Sequence, residues 1–167
     1  MGAFLKLIDA LLFLIFLILA IISPPIDFQL IFPQTLFPDF LIDLKASYVR
    51  QYGDYIMAES PPFLVGLVWL ELFFQWPLML LNLYAFLASK PWYKTTCLIY
   101  GVSVVTSMSA VLGEMVGSNR ASTTLLAMYY PFMGLGVLAM LRGLVPCSSK
   151  AAITGTTRPS NGRKKRA

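Results

Sequence analysis

Apolar residues run almost unbroken through four stretches of this chain. The first runs about Leu7 to Ser23, the second about Phe63 to Ala88, the third about Thr96 to Val116 and the fourth about Thr124 to Val145. Each approaches the roughly 20 mostly apolar residues that a helix needs to cross a bilayer. The pattern predicts an all-α membrane protein with four transmembrane helices. The first stretch follows Lys6 and resembles a signal peptide, but its apolar run is long and Ser23-Pro24-Pro25 is a poor cleavage context. It is expected to be retained, with the paired prolines ending the span.

The polar segments between the stretches predict how the helices are joined. The last two loops are short, so spans two, three and four are expected to be antiparallel neighbours. The first loop, from Pro24 to about Ser60, is too long for a plain linker and too apolar for disorder. Within it Leu36, Phe40, Ile42, Leu44 and Tyr48 form a loosely amphipathic short helix, expected to cap the luminal mouth of the bundle. Residues 1–145 thus make the membrane domain. Residues 146–167, rich in Ser, Thr, Gly and Arg, are expected to be a disordered basic tail.

Composition agrees with this pattern. The 167 residues are 57% apolar and only 13% charged, against about 25% charged in ordinary soluble domains. A net charge of +5 does not point to nucleic acid, because the basic residues concentrate in the tail and no basic face with interleaved aromatics exists. Lys6, Lys90, Lys94, Arg142, Lys150, Arg158 and the tail's Arg163, Lys164, Lys165 and Arg166 fall on one side of the four spans. Only Lys45, Arg50 and Arg120 fall on the other. This bias places both termini in the cytosol. The chain has no histidine and two cysteines, Cys97 and Cys147. Imidazole catalysis, an imidazole-ligated zinc and a disulfide framework are therefore excluded, and no metal or cofactor is expected.

The candidate chemistry lies in carboxylates within the apolar phase. A charged side chain there costs on the order of 2.5–3.5 kcal/mol even on lenient scales. Asp9 lies near a helix start and Glu114 near a helix end, so both are expected to reach an interface. Glu71 lies about eight residues into span two, roughly 12 Å deep. Gln75 is one turn further on, and Pro77 loosens the turn by leaving the Phe73 carbonyl without its amide. This grouping suits either a buried cavity or a bridge to a neighbouring helix. Asp27 follows the paired prolines, and the chain then resumes apolar. It either enters the same cavity or is solvated at the interface. Two carboxyls in one low-dielectric cavity do not both ionise readily, so a protonated acid beside a carboxylate is expected. That arrangement suits a basic amine on a hydrophobic ligand, with Trp69, Tyr100, Tyr129 and Phe132 available as aromatic faces. Gly134, Gly136 and Ala139 offer a close-packing face on span four, expected to serve packing within the chain.

The stretch Glu71–Pro77 (ELFFQWP), continuing to Tyr84–Leu87, resembles the second-helix signature of four-helix receptors in the EXPERA family, which also contains the emopamil-binding sterol isomerases. Ile26–Pro38 (IDFQLIFPQTLFP) resembles their first luminal loop. Ile99-Tyr100 and Tyr129–Phe132 resemble their third and fourth helices more loosely. The resemblance implies a non-enzymatic receptor of the endoplasmic-reticulum membrane with an occluded, luminally capped pocket and a part in cholesterol homeostasis or trafficking. The implied partners are a sterol or oxysterol, cationic amphiphilic small molecules, membrane lipid, a second copy of the chain as a homodimer, and a sterol-transport membrane protein. The implied ligand-binding residues are Asp27, Glu71, Gln75, Tyr100, Ser107, Tyr129 and Phe132, the last standing where those receptors carry a Tyr. Lys164 and Lys165, at the fourth and third places from the end, fit a dilysine retrieval signal. An isomerase-like enzyme is the alternative, with Asp27 and Glu71 as acid and base, but the family's isomerases also use a histidine and a fifth span. A second alternative is a chaperone-like trafficking partner of a membrane protein.

Overall fold

The computed structural model describes residues 2–145. Cys147, the tail and the proposed signal at Lys164 and Lys165 lie outside the described residues. Among the described residues, four helical segments are long and apolar enough to cross a membrane: Ala3–Leu30, Pro62–Leu87, Tyr93–Gly117 and Thr123–Leu144.

Helix α1 spans Gly2–Asp27 and passes straight through Pro24 and Pro25, which do not end it. A proline inside a helix removes one amide and leaves the carbonyl four residues back without its partner. Here the Ala20 carbonyl, which Pro24 cannot reach, accepts from the indole Nε1 of Trp76 at 3.1 Å. A neighbouring helix thus supplies the missing donor, which is how membrane helices tolerate proline. One 3₁₀ turn, Phe28–Leu30, follows. Gln29 is buried, and its Nε2 donates to the carbonyls of Pro25 at 2.6 Å and Leu41 at 3.3 Å. That side chain fastens the next helix to the end of α1.

Helix α2 (Asp39–Tyr52) and the short α3 (Tyr55–Glu59) form the long first connection. Leu36 lies in a separate turn before α2 rather than on it. Gly53 closes α2 in the left-handed conformation, φ +64°, which glycine adopts without strain. Asp54 then caps α3, its Oδ1 accepting from the Met57 amide at 3.0 Å. At both of its ends α3 is tied to the connection after the third span. Glu59 pairs there with Arg120, and the Tyr55 and Ser118 hydroxyls lie 2.7 Å apart.

The second span combines α4 (Pro62–Leu70), a π turn (Glu71–Gln75) and α5 (Trp76–Leu87). The wide turn immediately precedes the Pro77 peptide, and the Trp76 amide reaches back five residues to the Glu71 carbonyl. π turns of this kind recur at functional sites. Helices α6 (Tyr93–Gly117) and α7 (Thr123–Leu144) complete the bundle, with α1 packed between α5 and α7. The α6–α7 seam is the closest. A Cβ built on Gly101 would lie 2.6 Å from the Gly136 carbonyl oxygen, and one on Gly143 would lie 2.7 Å from the Leu98 amide nitrogen. Gly136 and Ala139 are buried in this contact, as expected, whereas Gly134 faces open space.

Two apolar clusters fill the interior. One, around Leu12, Phe16, Ala85, Cys97, Tyr100 and Ala139, lies toward the start of α1. The other, around Ile56, Leu64, Val111, Met115 and Leu125, lies beside α3. Asp9 departs from expectation. It does not reach an interface but accepts from Arg142 in a two-pronged pair, Nε to Oδ1 at 2.5 Å and Nη2 to Oδ2 at 2.8 Å, largely shielded from solvent. Burial leaves each charge no better partner than the other. Glu114 is exposed, in line with its place near a helix end.

Candidate functional site

Between the two clusters the helices diverge around a cavity of about 390 Å³, within the range of small-molecule sites. Its wall is mostly apolar, with polar groups drawn from α1, α2, the π turn, α6 and α7. Every ligand-binding residue expected from the sequence lines it: Asp27, Glu71, Gln75, Tyr100, Ser107, Tyr129 and Phe132. Trp69 does not. It stacks on exposed Phe73 at 5.4 Å, on the outer surface of the bundle.

The wide turn of the second span and the extra helical turn of α1 bring two acids together. The Ser23 hydroxyl lies 2.9 Å from Asp27 Oδ2 and also bonds Glu71 Oε1. A hydroxyl carries one proton. It donates to one carboxyl at a time, and accepts from the other only when that one carries a proton. The two carboxyl groups are thus linked through Ser23 on the cavity wall.

Gln75 does not contact this pair. Its Nε2 donates to Ser103 and Ser107, both at 3.0 Å, and so bridges to α6. The two readings of the Glu71–Gln75 face therefore hold together: both residues line the cavity, and each also bridges to a neighbouring helix. Tyr100 is buried with its ring edge-on to Phe16 at 4.9 Å. The Tyr129 hydroxyl is already engaged, donating to Asp54 Oδ2 at 2.7 Å. Phe132 stands at the rim, 41% exposed.

Several residues that matter here have weaker sequence signals. Ser23 precedes the prolines and reads as a helix end. Asp54 reads as one more acid of a polar loop, yet it is fully buried. Its position after Gly53 and three residues before Met57 is a stop-then-cap pattern that marks it as structural. From α2, Lys45 and Tyr48 also line the cavity. Burial, and then the Asp54 carboxylate, push the Tyr48 phenol up to about 12. Burial holds the Lys45 ammonium below its usual range, while the charge of Asp27 acts in the opposite direction. Nothing in the residue pattern of α2 singles out Lys45, which follows Leu44 like any surface lysine.

A multi-pass bundle enclosing an apolar cavity with a linked pair of acids is the class of protein that the fold defines. The family model for EXPERA, the expanded EBP superfamily, matches residues 40–143, and the chain belongs to that family. It is 26% identical to Sigma intracellular receptor 2 of Xenopus tropicalis over 129 residues, 70% of this chain and 75% of the receptor. It is also 26% identical to that receptor from Macaca fascicularis over 123 residues, 64% of this chain and 70% of the receptor. With the human receptor it shares 30% over 91 residues, 54% of this chain and 52% of that one.

Proposed function

We propose that this chain is a non-enzymatic membrane receptor whose cavity takes sterols or oxysterols and lipophilic amines, with a part in cholesterol homeostasis or trafficking. Asp27 and Glu71 face the ligand's polar end, and Tyr100, Tyr129 and Phe132 face its rings. The observation that carries this reading is the Asp27–Ser23–Glu71 linkage on the wall of an otherwise apolar cavity. One carboxylate there receives a ligand ammonium, while the neighbouring acid and hydroxyl bond a hydroxyl group. In this reading the protein resides in the endoplasmic reticulum with both termini cytosolic, α2 caps the luminal end, and the chain acts as a homodimer alongside a sterol-transport membrane protein.

The test uses full-length protein in mild detergent and two tritiated probes, a side-chain-hydroxylated cholesterol and a tertiary amine bearing benzyl and dodecyl groups. Both are expected to bind and to displace each other. The double variant Asp27→Asn/Glu71→Gln keeps the shape and removes the negative charge. It is expected to weaken amine binding at least a hundredfold while eluting as folded protein on size exclusion. Amine binding by the folded variant at wild-type strength overturns the assignment. Conversion of a sterol by shift of its ring double bond, lost in the same variant, would replace the receptor with an isomerase.

A further inference from the structure

The polar end of the cavity contains a positive charge of its own. Lys45 of α2 lines the same wall as Asp27, Glu71 and Ser23 and is partly buried there. Among the described residues it closes no ion pair: the direct pairs are Asp9–Arg142 and Glu59–Arg120. Tyr48, one turn along α2, and Asp27 line the same cavity, while Asp54, whose carboxylate acts on Tyr48, is engaged by its bonds to Tyr129 and the Met57 amide. Lys45 therefore shares the cavity wall with the acid pair and makes no ion pair with either acid. Arg50, five residues further along the same helix, is exposed and does not line the cavity.

We propose that Lys45 is a specificity residue that weakens the cavity's hold on cationic amphiphiles relative to uncharged, hydroxylated ones. This rests on the cavity being the ligand site. A carboxylate with a built-in cation nearby has less to gain from a ligand's ammonium, and two positive groups drawn into one low-dielectric space repel. A hydroxyl suffers neither effect. It finds two carboxyl groups and the Ser23 hydroxyl within one cluster, and it brings no charge to a wall that already carries Lys45. Because Lys45 stands off from Asp27, the acid still receives an amine, but against the lysine's field.

The experiment compares the affinities of the two tritiated probes in wild type, Lys45→Met, Lys45→Arg and Arg50→Met. Lys45→Met is expected to tighten amine binding at least tenfold and to shift the sterol by no more than about twofold. Lys45→Arg, which keeps the charge, and Arg50→Met, which removes a charge from the outer face of the same helix, are expected to keep the wild-type ratio. Unchanged or weaker amine binding in folded Lys45→Met overturns the proposal, as does an equal gain in Arg50→Met, which would reduce the effect to overall charge. The two readings fail separately. If Lys45→Met is silent while Asp27→Asn/Glu71→Gln abolishes amine binding, the site stands and Lys45 has no say in selectivity. If neither probe binds the wild type, both fall.

Discussion

Helix α1 carries one partly buried acid near each end. Asp9 and Asp27 are about five helical turns apart, so they share a face and look into the same bundle. Their surroundings differ. Asp9 meets Arg142 in a direct, two-pronged pair within the tighter half of the molecule, where Gly101, Gly136 and Gly143 let α6 and α7 approach backbone to backbone. Asp27 faces a cavity, bonded only to a hydroxyl that is shared with a second acid, and the nearby lysine is held out of contact. A buried carboxylate with a fixed ionic partner has nothing left to offer a ligand. One whose cation stands off does. The same residue type on one helix face thus serves structure at one end and a candidate site at the other, and the partner on the facing helices decides which.

Breaking that contrast from the closed end should have the largest effect. Arg142→Met leaves Asp9 buried without its cation, a change that typically costs about 3–5 kcal/mol. A large drop in the unfolding midpoint in detergent is expected, and a midpoint within error of wild type would show that the pair is not shielded as described. Gly101→Val comes next. Its added methyls meet the Gly136 carbonyl and the α7 backbone, which cannot move aside as a side-chain tip can, and overpacking of this kind costs about 1–3 kcal/mol. Gly134→Ala, on the facing helix α7 but in open space, is the control. It should be neutral or slightly stabilising, because alanine favours a helix over glycine by up to about 1 kcal/mol.

The sequence discloses the closed half and the hollow half unequally. Four spans, their antiparallel order and the depth of Glu71 all follow from hydropathy and spacing, because a bilayer imposes a strict length and penalises every buried charge. Gln75 and the loosened turn at Pro77 follow as well. The Asp9–Arg142 pair does not: its members lie at opposite ends of the chain, each within reach of an interface, and only closure of α1 against α7 joins them. The paired prolines mislead for a related reason. Read locally they end a helix, but a side chain from another span repairs the break. Lys45 and Asp54 belong to a connection whose fold depends on Gln29 and Tyr129, so their inward placement has no periodic signature. Local rules thus reach the elements, and miss every residue whose role is set by a partner far away in sequence.

The smallest expected loss is a coupling between two sites, and it tests that repair directly. The Trp76 indole donates to Ala20 only because Pro24 leaves that carbonyl free. Trp76→Phe removes the donor and leaves an unpartnered carbonyl, so a loss of about 1–3 kcal/mol is expected. In a Pro24→Ala background an ordinary helical amide returns to the same carbonyl. Trp76→Phe should then cost less by about 1 kcal/mol, the worth of one such bond, although the loss of ring volume beside Phe28 is the same in both backgrounds. The measurement is a double-mutant cycle on unfolding midpoints in detergent, in which the shared packing loss cancels. A coupling near zero would mean that α1 holds its course past Pro24 without help from the second span. The extra turn that carries Asp27 to Ser23 and Glu71 would then be a property of α1 alone rather than of the helix pair.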